Sequence, residues 1–178
     1  MGKHAGIISR CNLWGVDLLI FVTLGTQDKP FTRLLDALEA LIQKGIIQDE
    51  VIVQAGSTRY KSNHMKILDY IEMTKFNQYV EQCDILICHA GVGTIINGIN
   101  HDKSIMAVAR RAQFGEHEND HQVEITTKFS KLGYIVGCLS VEEVEEKFPL
   151  LKGFKTHQYE SNCLAFCALV KKLIDQEN

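Results

Sequence analysis

The sequence predicts an α/β protein: a single Rossmann-like domain built on an open parallel sheet. Three observations carry the prediction. Short apolar runs rich in β-branched residues alternate with segments of helical periodicity. The runs are apolar at nearly every position rather than every second one, as strands covered on both faces must be. Two of them also end in glycine-containing loops that lead straight into a helix.

The first strand is residues 18–24 (LLIFVTL), closed by Gly25. After the loop 25–30, Leu34, Leu35, Leu38, Leu41 and Ile42 recur at helical spacing, and Gly45 is a suitable stop. Residues 51–53 (VIV) form the second strand, ended by the turn Gly56-Ser57-Thr58. Residues 75–83 read as a helix and 84–88 (DILIC) as the third strand, which runs into His89-Ala90-Gly91-Val92-Gly93-Thr94. A helix to Asn100, a strand over 104–109, a helix over 118–132, a strand over 134–138 and a short helix over 141–148 complete the alternation. The last expected element is an amphipathic helix over 159–174, with Leu164, Cys167, Ala168 and Leu173 on its apolar side. Three parts follow: an N-terminal extension (1–17) outside the alternation, an α/β domain (18–155) and a C-terminal amphipathic segment (156–178).

At 178 residues, 46% hydrophobic and 23% charged, the chain is the size of one globular domain. A net charge of −3 removes the electrostatic case for nucleic acid as a ligand. No apolar run approaches the ~20 residues that span a bilayer. Lys3 and Arg10 are followed by no continuous apolar stretch, so no secretory signal is expected. The six cysteines form no Cys-x-x-Cys pair. Cys83 and Cys88 flank a strand, and the expectation is reduced, buried thiols.

In an open parallel sheet, ligands bind beyond the carboxyl ends of the strands. Two loops there are built for an anion: Gly25-Thr26 and Gly91-Val92-Gly93-Thr94. Glycine lets backbone approach closely, and a helix start offers free N–H groups and partial positive charge. The Thr94 hydroxyl is placed to cap that helix or to bind a phosphate oxygen. The dinucleotide fingerprint fails, because position 96 is Ile, and no Gly-Lys-Ser/Thr loop occurs. A second constellation is Gly115-Glu116-His117-Glu118-Asn119-Asp120-His121-Gln122. Its His117-Glu118-Asn119-Asp120-His121 matches His-Glu-x-x-His, a zinc-hydrolase pattern, with no clear third ligand downstream. The same residues also offer donors and acceptors for sugar hydroxyls, or a solvated helix start capped by Asn119 or Asp120.

In order along the chain, Phe21-Val22-Thr23-Leu24-Gly25-Thr26, His89-Ala90-Gly91-Val92-Gly93-Thr94-Ile95, Gly115-Glu116-His117 and Asn119-Asp120-His121-Gln122 resemble the family 28 glycosyltransferase C-terminal domain. That domain is the donor half of a two-domain GT-B enzyme, and the resemblance covers 18–139. Within the family the chain is similar to small soluble subunits of split transferases. These include the cytosolic subunit acting on dolichol-linked N-acetylglucosamine, and subunits of bacterial capsule and exopolysaccharide synthesis, which the Gly-Glu-His…Asn-Asp-His-Gln pattern favours.

The resemblance implies a UDP-sugar donor whose pyrophosphate is held by His89, Gly91, Gly93 and Thr94, with Gly25 and Thr26 at the cleft. It puts Asn97 at the ribose, where the related peptidoglycan transferase has Glu. It puts Glu118, Asn119, Asp120, His121 and Gln122 at the transferred sugar, a hexose or N-acetylhexosamine. No metal and no cofactor are implied. The general base belongs to the half this chain lacks. The implied partner is therefore a membrane-anchored glycosyltransferase subunit carrying the acceptor site, the acceptor a lipid-linked saccharide, and the location the cytoplasmic face of a membrane. Asp102-Lys103-Ser104 and Ala109 depart from the family's Gly-Lys-Pro and following Pro. A non-catalytic enhancer of the membrane subunit is the alternative.

Overall fold

The computed structural model describes residues 18–157. The extension 1–17 and the helix expected over 159–174 lie outside them. Six strands, β1 (Leu19–Thr23), β2 (Glu50–Gln54), β3 (Lys66–Leu68), β4 (Ile85–His89), β5 (Ser104–Val108) and β6 (Val136–Cys138), form one parallel sheet in the order β3-β2-β1-β4-β5-β6. This is the doubly wound order, in which the winding reverses between β1 and β4.

Alternate residues of each strand bury into two separate cores. Ile20, Val22, Ile85, Ile87, Met106 and Val108 face one layer, with Leu34, Leu35, Leu38 and Leu41 of α1 (Thr32–Gln43) and Val144 of the short α5 (Val144–Lys147). Phe21, Ile52, Leu86, Cys88, Ile105 and Ala107 face the other. Against them lie Phe76, Tyr79 and Val80 of α2 (Met73–Gln82), Ile95 and Ile99 of α3 (Val92–Asn100), and Ile125 and Phe129 of α4 (His121–Lys131). Both faces are covered, which explains why the strands read as unbroken apolar runs. Phe21 is fully buried between the rings of Phe76 (centroids 5.6 Å, edge-on) and Tyr79 (5.2 Å, stacked).

Three details differ from the sequence reading. The edge strand β3 is an addition: at three residues, half-exposed, it carries no apolar run to read. The helix expected from 118 begins at His121, because the residues before it form turns bonded to neighbouring loops. The segment 141–148 is α5 flanked by 3-10 turns, Val141–Glu143 and Phe148–Leu151, the second opened by Pro149. Cys83, Cys88 and Cys138 are free and buried, and burial pushes each thiol up to about 12. Among the described residues no helix is long and apolar enough to cross a membrane.

Candidate functional site

The loops after β1 and β4 meet where the winding reverses. Two adjoining clefts open there and share Thr26, His89 and Gly91 as a common wall. The first, about 450 Å³, is lined by Gly25, Gln54, Gly93, Thr94 and Asn97, with Tyr70, Ile71, Met73 and Phe76 along its apolar side. The second, about 360 Å³, continues past Gln27 and Val92 to His117, His121, Gln122 and Ile125.

The β1 loop is held by a buried polar network. Thr23 Oγ1 donates to Gln54 Oε1 (2.6 Å) and accepts from Gly25 N (3.3 Å), while Gln54 Nε2 donates to Gly25 O (3.1 Å). Thr23 and Gln54 are paired in register at the carboxyl ends of β1 and β2, so the sheet itself sets this geometry. On the other side, α3 starts at the N-cap Gly91 with no side-chain cap bond, and its first intrahelical bond is Ile95 N to Gly91 O (3.1 Å). The amides of Val92, Gly93 and Thr94 therefore precede the helical ladder and remain donors at the positive end of the dipole. Thr94 does not cap the helix.

His89 sits between the two loops. Burial, then the charge of Arg110, lower its pKa to about 4, against an opposing hydrogen bond to Thr23 O. At neutral pH the ring is uncharged. Nδ1 lies 3.5 Å from Thr23 O, a long contact. The ring occupies the space two side chains would need: a Cβ on Gly25 would lie 2.6 Å from His89 Cε1, and one on Gly91 2.5 Å from Nε2. Gly25 also has φ +79°, where L-residues are strained. Gly91 does not, so Gly91→Ala isolates the steric effect. Gly91→Ala will cost about 1–3 kcal/mol and turn the ring, read as a shifted His89 Hε1 resonance alongside the denaturation midpoint. An unmoved resonance at unchanged stability contradicts this packing.

Of the residues expected at a sugar, His121 and Gln122 reach the second cleft, joined there by His117. The other three hold local structure. Glu118 pairs with Lys29 (2.6 Å), whose hydrogen bond and charge lower its pKa. Asp120 Oδ1 accepts from Ala112 N (2.9 Å), which lowers its carboxyl, and Asn119 Oδ1 accepts from His121 N (3.2 Å). His117 lies in the turn before α4 rather than on it, so the two histidines do not share the helix face that the His-Glu-x-x-His pattern requires. Their ring centroids lie 4.7 Å apart with the planes tilted by 55°, and among the described residues no three metal-ligating groups converge.

Sequence reasoning missed Thr23, Gln54, the apolar side of the first cleft, Arg110, and the burial of Glu116. The polar ends of the strands hinted at Thr23 and Gln54. Nothing in the pattern distinguishes Arg110 from a solvated arginine.

The fold is the Rossmann-like type from which half of a GT-B glycosyltransferase is built, and the paired clefts lie at the sheet's switch point. Residues 19–176 match the glycosyltransferase family 28 C-terminal domain, and the chain belongs to that family. It is 30% identical over 91 residues, 51% of this chain and 29% of the relative, to the UDP-N-acetylglucosamine transferase subunit ALG13 of Candida albicans. The aligned part thus spans less than a third of that relative's length. In fold it is similar to the kitacinnamycin glycotransferase (TM-score 0.58, 12% identity, 85% of this chain and 39% of that one). It is also similar to the solution structure of ALG13 (TM-score 0.53, 18% identity, 82% and 90%).

Proposed function

We propose that the chain is the donor-binding subunit of an inverting transferase that moves a hexose or N-acetylhexosamine from a UDP-sugar to a lipid-linked saccharide. The observation that carries the reading is the double cleft with a helix start in its shared wall. A nucleotide sugar has the same three parts: an apolar flat base, a charged diphosphate and a polar sugar. The base fits the first cleft beside Tyr70, Met73 and Phe76, and the sugar fits the second beside His121 and Gln122. Asn97 Nδ2 donates to Asn77 (3.1 Å), which leaves its amide oxygen to accept from a ribose hydroxyl.

Bond cleavage at the anomeric carbon leaves negative charge on the β-phosphate. The amides of Val92, Gly93 and Thr94 stabilise it without reorganising. Neutral His89 adds a donor once its proton sits on Nε2, a tautomer change that forfeits only the long contact to Thr23. The attacking hydroxyl needs a base within about 3 Å. We assign that base and the acceptor site to a membrane-anchored partner subunit at the cytoplasmic face. The word "subunit" in the name of the Candida relative supports a partner.

Calorimetric titration with UDP tests the reading. Saturable binding is expected in the wild type, weakened at least tenfold in His89→Ala. No UDP binding by the chain, alone or with its partner, overturns the donor site and favours the enhancer.

A further inference from the structure

We infer that Arg110 is the positioning residue of this cleft, a buried fork that fixes the loop after β1 against the turn before α4 and so sets the width of the second cleft. Arg110 lies two residues beyond the end of β5 and is 1% exposed. Its Nη2 donates to Leu24 O (2.7 Å), and its Nη1 donates to Lys29 O (2.8 Å) and Glu116 O (3.0 Å). Its backbone N–H donates to Gln122 Oε1 (3.1 Å), and the guanidinium lies over the Phe31 ring, 4.9 Å from the centroid.

The pattern of acceptors is informative. Leu24 and Lys29 are the two ends of the β1 loop, and the cleft residues Thr26 and Gln27 lie between them. Glu116 and Gln122 bracket the other segment, and His117 and His121 lie between those. The side chain therefore pins the β1 loop at both ends and the other segment at Glu116, while the Arg110 backbone N–H holds that segment at Gln122. The guanidinium is hydrogen-bonded to carbonyl oxygens and to no carboxylate: the Glu116 carboxylate is taken by Arg33 (3.2 Å) and by Arg111 N (3.0 Å). A buried cation held this way is a poor device for stability, since an apolar side chain of similar volume commonly does as well or better. What arginine adds is a rigid planar fork that spans several acceptors at once. Lysine has a single ammonium and cannot bridge the same carbonyls.

The inference rests on the donor-site reading only for its ligand, and the experiment separates the two. The full chain and its Arg110→Lys and Arg110→Met variants are titrated with UDP. Amide spectra are recorded, and the His89 imidazole is titrated; the charged or titratable groups acting on it are Arg110 and His117. In both folded variants UDP should bind at least tenfold more weakly, and the Thr26 and His121 amides should shift together. The His89 pKa should rise in Arg110→Met, where the neighbouring charge is gone, and hold in Arg110→Lys. Affinity within twofold of wild type, with both amides unmoved, overturns the inference. If the wild type itself binds no UDP, the donor reading falls and the amides alone decide: joint movement upholds the clamp, and none overturns it. If both variants fail to fold, hydrogen exchange on the wild type decides. A common opening of the amides at 25–29 and 116–121 upholds the clamp, and independent opening overturns it.

Discussion

Phe21→Ala will destabilise the domain by about 3–5 kcal/mol, measured by urea denaturation. Phe21 is fully buried and is held by two rings of one helix, Phe76 and Tyr79, so truncation removes both the ring's transfer term and its aromatic contacts. The damage is directional. Phe76 is also a wall of the first cleft, so the folded fraction of the variant should bind UDP more weakly than wild type. Leu38→Ala, in the opposite layer under α1, should cost about 2–5 kcal/mol and leave UDP affinity of the folded protein intact. A Phe21→Ala loss under 1 kcal/mol would mean that α2 is anchored elsewhere. Equal effects of both variants on UDP affinity would mean that the layers are not independent.

Acidification is expected to act on stability through His89. In the native state its pKa is held near 4 by burial and by Arg110, while in the unfolded chain it returns to the ordinary 6.5. Between these values the unfolded chain binds an extra proton, so stability falls as pH falls and is flat with respect to this group above about 6.5. The contribution lost by pH 4 is about 3 kcal/mol. Urea midpoints from pH 7.5 to 4.5, compared between wild type and His89→Gln, isolate it. The variant should lose stability more shallowly over that window. Parallel slopes would show that His89 is hydrated enough to titrate normally.

The strands and most helices could be read from sequence because their signal is the burial itself: the run 85–88 of β4 is apolar throughout since both its faces are covered. The edge strand Lys66–Leu68 was not legible, for a strand with little to bury leaves little pattern. The glycine loops were legible because the positive φ of Gly25 and the close packing of His89 against Gly25 and Gly91 constrain residue type there. Gly25, Thr26, His89, Gly91, Gly93, Thr94 and Asn97 do gather at one cleft. The polar run 118–122 was ambiguous for a physical reason. Glu118, Asn119 and Asp120 have the same chemistry whether they meet a sugar or tie down a turn, and here each has a bonding partner in the protein. The role of Arg110 was illegible because a buried charge is a tertiary fact, written in carbonyl positions and not in residue type.

The network of Thr23, Gln54 and Gly25 bears on the thermodynamics of ligand capture. Gly25, whose N–H and C=O are both engaged by neighbouring side chains, has already lost its conformational freedom during folding. If the diphosphate of the proposed donor enters here, Gly25 adds little to the entropic cost of ordering, and that part of the calorimetric signature should be small. Heat released on binding would then report the contacts themselves, and Thr23→Val, which removes the hydroxyl that bonds Gln54 and Gly25, would appear as a mainly entropic loss.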